Sequence, residues 1–120
     1  GRVMKMDRIN PGSGPKARPA AEDQDIAVWM EPRAEEIAGF FKALSHEGRL
    51  MILCYLASGE KSVTELEALL GQRQAAVSQQ LARLRLEGLV TTRREGKAIF
   101  YALHDPRVMG LLRELPGTFG

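Results

Sequence analysis

The order of helix starts and glycine stops between residues 62 and 88 limits this chain to few folds. Residues 62–70 predict a short helix, because Ser62 and Glu65 have the spacing of a capping box. Gly71 ends this helix, since glycine adopts the left-handed conformation that often follows a helix. Gln74–Leu86 predicts a second helix, ended by Gly88. Two short helices joined by a short turn are typical of a helix-turn-helix.

A basic β-hairpin is predicted directly after the second helix. Residues 89–94 and 97–101 are rich in the β-branched and aromatic side chains that strands favour. Glu95-Gly96 between them supplies the glycine that a tight hairpin turn requires. Helix, turn, helix and basic hairpin in this order predict a winged helix-turn-helix.

Three more helices are predicted around this motif. The first begins near Pro32, a residue suited to a first helical turn, and the second runs from a cap at Ser45 to about Ala57. Asp105-Pro106 opens the last helix, and Pro116-Gly117 ends it. The predicted fold class is mainly α with a small β-hairpin, in the order α1-α2-α3-α4-β-β-α5.

The length of 120 residues suits one domain. Residues 1–20 hold glycines, prolines and basic residues with almost no apolar period, which predicts a disordered N-terminal arm. Residues 21–30 either extend the first helix or pack as an arm. We therefore predict one winged helix-turn-helix domain over residues 21–120.

Positive charge is concentrated on the predicted motif. Residues 73–97 contain six Lys or Arg and two Glu, a net charge of +4, whereas the whole chain carries +2. A focused positive field attracts polyanions, so the motif suits a nucleic-acid partner better than the whole chain does.

Cysteine usage and hydropathy indicate a cytoplasmic location. Cys54 is the single cysteine, so an intrachain disulfide is excluded and a reducing compartment is expected. No apolar run approaches the ~20 residues of a membrane span. No signal peptide is visible, and we expect no membrane partner.

The second helix of the motif is predicted to read DNA bases in the major groove, which admits an α-helix. Val77, Leu81 and Leu84 are spaced to face the core. The opposite side, near the helix start, is the part that helix-turn-helix proteins place against bases. The residues there are Gln74, Ala75, Ser78 and Gln79. Gln can pair with adenine at two points, and Ala can meet a thymine methyl group.

Basic and amide residues around this helix are predicted to bind phosphates. Gln72 and Arg73 lie in the turn, next to the positive end of the helix dipole. Residues at the hairpin tip can reach the phosphate backbone or the adjacent minor groove, and Arg83 on the second helix joins this DNA-binding set. The tip residues are Arg93, Arg94 and Lys97.

Two other classes of function compete with DNA binding. An enzyme is not predicted, because we find no paired carboxylates, glycine-rich phosphate loop or Ser-His-Asp arrangement. Each piece of the motif alone also fits a solvated surface, and the whole fits a winged-helix module that binds protein. The outward side of the second helix lacks the large apolar residues of a protein interface, which favours DNA.

Several segments resemble the ArsR family of bacterial winged-helix repressors, most closely its sulfide-responsive branch of SqrR and BigR. The segments are residues 43–54, 74–90, 93–97 and 100–101, within a resemblance over roughly residues 33–115. The resemblance implies a homodimer formed through the first and last helices and bound to an inverted-repeat operator in double-stranded DNA. It also implies repression of sulfide-oxidation or detoxification genes, so residues 21–120 would serve both DNA binding and dimerisation.

The metal-sensing members of this family carry cysteines on the third helix or Asp and His on the last. Here the third predicted helix, over residues 62–70, has no thiol. His46 and His104 lack companion ligands at metal spacing. We therefore predict no metal and no cofactor, and expect each histidine at the surface or capping a helix.

In the resembling branch, reactive sulfur species link two cysteines through a polysulfide bridge and DNA is released. Cys54 matches the position of the first cysteine. The second is expected near the end of this chain, where Phe119-Gly120 stands and no cysteine is present. We predict DNA release in response to reactive sulfur or oxidants through Cys54. Four interpretations stay open: a lost or replaced second cysteine, Cys54 acting alone, another inducer such as a small apolar ligand, or Cys54 as a buried core residue.

Overall fold

The computed structural model describes residues 23–120, so the predicted arm over residues 1–20 lies outside the described residues. The chain divides into two compact units, the first ending at Ala38 and the second spanning Gly39–Gly120. No helix of the described part is long and apolar enough to cross a membrane. The elements are α1 (Asp23–Met30), a 3₁₀ turn (Glu31–Arg33), α2 (Ala34–Leu44), α3 (Glu47–Leu56), β1 (Lys61–Ser62), α4 (Val63–Leu70), α5 (Gln74–Leu86), β2 (Val90–Glu95), β3 (Ala98–Leu103) and α6 (Pro106–Phe119).

The structure has one helix, α1 in the first unit, that the predicted order of elements does not contain. The ambiguous segment over residues 21–30 contains α1, and Pro32 lies in the 3₁₀ turn that precedes α2. The guanidinium of Arg33 stacks on the Trp29 ring, 4.6 Å from its centroid, which joins the turn to the end of α1.

Local capping signals set most helix boundaries as predicted. Glu65 N donates to Ser62 Oγ (3.1 Å) while Ser62 N donates to Glu65 Oε1 (2.7 Å), so the capping box at the start of α4 is confirmed. Gly71 ends α4 in the left-handed conformation, with φ of 66°. Asp105 caps α6 by accepting from Arg107 N at 2.9 Å.

Two predicted boundaries are wrong. His46, not Ser45, caps α3, because His46 has the extended backbone of a cap and its Nδ1 accepts from Gly48 N at 3.0 Å. The last helix continues through Pro116 to Phe119. Pro116 has no N–H to donate within the helix, but its carbonyl still accepts from Gly120 N at 2.8 Å, so the helix continues beyond it.

The sheet has three strands, one more than the predicted hairpin. β2 and β3 form the predicted antiparallel hairpin, and β1 pairs antiparallel with the other edge of β3, giving the order β1-β3-β2. Lys61 lies opposite Tyr101 and Ser62 opposite Phe100. The winged helix-turn-helix fold class is confirmed, with this short strand added to its wing.

The core of the second unit packs α3, α4 and α5 against the sheet and α6. The predicted inward residues of α5, Val77, Leu81 and Leu84, are fully buried. Burial of such aliphatic side chains contributes roughly 1.5–3 kcal/mol each, so this face fixes the rotation of α5. The buried apolar residues of the core are Ala43, Leu44, Ile52, Leu53, Leu56, Leu66, Val77, Leu81, Leu84, Leu89, Val90 and Val108.

Candidate DNA-binding site

α5 presents a polar surface on the side opposite its buried face. The predicted base-reading residues of α5 are all exposed: Gln74, Ala75, Ser78 and Gln79. The side chains there are short or end in an amide, which allows the base edges of a DNA groove to approach the helix surface closely. The exposed positions agree with the sequence prediction, while their contacts with DNA stay predictions.

The turn before α5 exposes both predicted phosphate-binding residues, Gln72 and Arg73. Arg73 occupies the N-cap position of α5 with an extended backbone, and its side chain makes no capping hydrogen bond. The first N–H groups of a helix have no partner within the helix and carry its positive dipole end. This turn therefore combines a cation with backbone donors, which suits an anionic oxygen.

A cleft of about 280 Å³ separates the start of α5 from the wing, and both sides supply predicted site residues. Gln74 lines it from the helix, and Lys97 lines it from the turn of the hairpin. Thr64 also lines the cleft, although no sequence pattern singled it out, since only the packing of α4 beside α5 brings it there. The full lining is Ser62, Val63, Thr64, Gln74, Lys97, Ala98, Ile99 and Phe100.

The two arginines of the wing point to opposite faces of the sheet. Arg93 lies opposite Phe100 across the hairpin, and Arg94 lies opposite Ile99. Because side chains alternate along a strand, neighbours in sequence cannot share a face. The sequence grouped both with Lys97 as one basic tip, but the structure separates Arg93 from Arg94.

Arg93 is occupied by partners within the protein. Its Nε and Nη2 donate to the two carboxylate oxygens of Glu60 at 2.8 Å each, and Nη1 donates to Glu95 Oε1 at 3.1 Å. The guanidinium also stacks over the Phe100 ring, 4.7 Å from its centroid. The hydrogen bonds from Arg93 lower the pKa of the Glu60 carboxyl, and the bonds to Glu60 and Glu95 raise the pKa of Arg93.

The remaining cations of the predicted site differ in whether they form ion pairs within the protein. Arg83 pairs with Glu87 one turn further along α5, with an N–O distance of 3.2 Å. Arg73, Arg94 and Lys97 make no ion pair with any residue that the structure describes. Among the predicted site residues, these three therefore carry the positive charge that no carboxylate of the described residues pairs with.

Cys54 lies on α3 and is exposed in the chain, so the interpretation of a buried core cysteine is wrong for the chain by itself. Partial burial of the thiol raises the pKa of Cys54 above its ordinary value, which favours the neutral thiol. Over residues 23–120, no group of three or more His, Cys, Asp or Glu side chains is arranged to hold a metal ion.

Known proteins are similar to this chain in sequence and in fold. Residues 46–92, which include α3, the helix-turn-helix and the start of the wing, match the family described as bacterial regulatory protein, arsR family. A relative from Agrobacterium fabrum, the biofilm growth-associated repressor, is 51% identical over 90 residues, covering 75% of this chain and 77% of the relative. The chain belongs to the ArsR family.

Other relatives in the family differ in their named activity. The transcriptional activator HlyU of Vibrio cholerae is 42% identical over 86 residues, covering 72% of this chain and 80% of the relative. The crystal structure of the transcriptional repressor BigR from Xylella fastidiosa has 46% sequence identity and a TM-score of 0.74, covering 78% of this chain and 95% of that chain. The resemblance to the BigR branch is thus confirmed in sequence and in fold.

Proposed function

We propose that this ArsR-family chain is a transcriptional repressor that binds an operator in double-stranded DNA through α5 and the wing together. The observation that carries the proposal is the shared cleft, which Gln74 of α5 and Lys97 of the wing both line. The cleft thereby brings a proposed base-reading group and a proposed phosphate-binding group to one site. The relatives named as repressors support the direction of regulation.

The proposed division of roles follows from side-chain chemistry. Exposed residues on α5 read base edges, namely Gln74, Ala75, Ser78 and Gln79. Residues of the turn and wing hold phosphates, namely Gln72, Arg73, Arg94 and Lys97. Arg83 adds less than a free cation because Glu87 neutralises it.

We propose a homodimer through α2 and α6, bound to an inverted repeat. A two-fold symmetric protein presents its two reading helices to half-sites about one DNA turn apart. Large apolar side chains remain exposed on both helices, with Phe41 50% exposed and Phe119 82% exposed. Covering these side chains with a second copy removes apolar surface from water, which favours association.

A titration followed by fluorescence anisotropy tests the proposal, using an inverted-repeat fragment from the promoter region beside the gene and a scrambled control of equal length. The expected result is preferential binding to the repeat, with an observed affinity that falls as salt rises, by a slope of about −0.9 per neutralised phosphate. The absence of binding to either fragment would instead favour a winged-helix module that binds protein.

We further propose that reactive sulfur species act on the repressor at Cys54. The exposure of the thiol supports access by a small persulfide donor. The Cys54 thiolate attacks the outer sulfur of the donor, so that Cys54 becomes a persulfide and the donor leaves as a thiol. Release of DNA then requires that the modified protein favour a geometry that does not fit the operator.

The test of this response is the same titration with and without glutathione persulfide, with the intact mass of the protein measured in parallel. A mass gain of one sulfur with weaker operator binding is expected, and Cys54→Ala should lose both effects. A different inducer is favoured if the mass increases but the affinity does not change.

A further inference from the structure

We propose that Arg93 positions the wing and does not itself bind phosphate, acting through a clamp formed by Glu60, Arg93, Glu95 and Phe100. This inference rests on the proposed function, because it assigns roles within the same DNA-binding surface. It separates Arg93 from Arg94, which the sequence placed together in one basic tip. The clamp is built from residues on three separate segments of the wing.

The side chain of Arg93 reaches across the face of the sheet. Arg93 starts from the edge strand β2 and lies opposite Phe100 on the central strand β3. Ser62 of the other edge strand lies opposite the same Phe100, and Glu60 comes just before that strand. The guanidinium thus stacks on the ring of the central strand and ends on a carboxylate at the far edge.

Three of the five N–H donors of Arg93 are used in this clamp, one from each nitrogen of the guanidinium. All three of its nitrogens donate to carboxylate oxygens, two of them in a bidentate pair with Glu60 at 2.8 Å. A bidentate Arg–carboxylate pair that also stacks on an aromatic ring has the geometry that lets a surface ion pair persist. Two carboxylates around one guanidinium leave a local charge of about −1, which disfavours a phosphate at this point.

The position of the wing matters because it sets where the unpaired cations Arg94 and Lys97 lie relative to α5. β1 has only two residues, so few backbone hydrogen bonds hold that edge of the sheet. Lys97 and Phe100 line the same cleft as Gln74, and the side chain of Arg94 extends from the sheet face opposite to that of Arg93. A loosened sheet would therefore move Lys97 and Arg94 relative to α5.

Salt dependence of DNA binding separates positioning from phosphate binding. Arg94→Ala, which removes a free cation, is expected to reduce the magnitude of the salt slope by about 0.9 for each phosphate that the variant no longer neutralises. Arg93→Ala is expected to lower the affinity several-fold at every salt concentration while leaving the slope of the wild type unchanged. A slope that falls in Arg93→Ala as it does in Arg94→Ala would overturn the proposal.

Conservative and charge-swap variants give a second test that does not depend on Arg93→Ala folding well. Arg93→Lys keeps the charge but lacks the planar bidentate geometry, so we expect it to bind the operator several-fold more weakly than the wild type does. The swap Glu60→Arg with Arg93→Glu restores the pair between the two positions but not the bond to Glu95, so it should recover part of the affinity that Arg93→Glu alone loses. Full activity of Arg93→Lys, or no recovery in the swap, would overturn the clamp.

The two proposals fail in distinguishable ways. If the wild type does not bind duplex DNA in a salt-dependent manner, the proposed function is wrong. If the wild type binds and Arg93→Ala behaves like Arg94→Ala, only the clamp is wrong. Circular dichroism of each variant confirms that the helices are retained before affinities are compared.

Discussion

The carboxamide of Gln80 on α5 lies directly over the backbone of Gly48 on α3, where an added methyl group would overlap it. Gly48 is buried in the first turn of α3, and Gln80 Oε1 is buried with no hydrogen-bond partner among the described residues. α5 and α3 therefore meet here at a position where only glycine fits without movement of the Gln80 side chain.

Gly48→Ala is expected to destabilise the fold by about 1 kcal/mol, at the low end for overpacking, because the end of the Gln80 side chain can move. Urea denaturation followed by circular dichroism measures the change. Gly39→Ala is the matched control, since nothing lies within 4 Å of an added Cβ at this helical position and alanine there is expected to stabilise by roughly 0.5–1 kcal/mol. Adding Gln80→Ala should cancel most of the cost of Gly48→Ala, and strictly additive costs would contradict the contact.

Ser62→Ala is expected to cost about 1 kcal/mol of unfolding free energy, because it removes one of the two hydrogen bonds of the capping box. The comparison is Thr64→Ala in the same first turn, which leaves the box intact and replaces threonine by a better helix former. Equal stabilities of the two variants in a chemical denaturation series would argue against the cap as a source of stability.

Gln79→Ala is expected to change which operator sequence is preferred, with about 1–3 kcal/mol of discrimination lost at the base pair that Gln79 reads. Arg94→Ala should weaken binding to all sequences by a similar factor, because a phosphate contact does not depend on the base. Competition titrations with single-base operator variants distinguish the two. A wing variant that altered preference while Gln79→Ala did not would reverse the proposed roles.

Alkylation of Cys54 is expected to be slower in the folded protein than in the urea-unfolded chain near neutral pH. Burial raises the pKa of the Cys54 thiol in the fold, so the folded protein has less thiolate below that pKa. The difference should shrink as the pH rises through the raised pKa and thiolate predominates in both states. Initial rates of iodoacetamide addition, followed by intact mass across a pH series, measure this. A faster reaction of the folded protein at neutral pH would indicate activation of the thiol instead.

Phe119→Glu is expected to weaken dimerisation by about 2 kcal/mol, the loss typical of a buried aromatic anchor at an interface. Sedimentation velocity at several concentrations should show more monomer, and operator affinity should fall with it. Thr118→Glu adds the same charge at the neighbouring exposed position and serves as the control. An unchanged oligomeric state in Phe119→Glu would move the interface away from the end of α6.

Short-range chemistry allowed the sequence to determine much of this protein. The capping box of Ser62 and Glu65 and the cap at Asp105 depend on residues two or three positions apart, so their pattern is visible in the chain itself. The buried side of α5 follows from helical periodicity, and Val77 and Leu81 are buried as expected. Exposure of the predicted reading residues follows from the same periodicity.

Only the tertiary structure decided the features that join distant segments. β1 is two residues long, too short for any periodic signal, and exists because β3 offers it a free edge about 40 residues later. Arg93 and Glu60 are 33 positions apart, so no local pattern relates them, and their pairing follows from the strand order. The sequence thus determined which residues are basic and exposed, whereas the packing of the strands decided which of them are free to meet DNA.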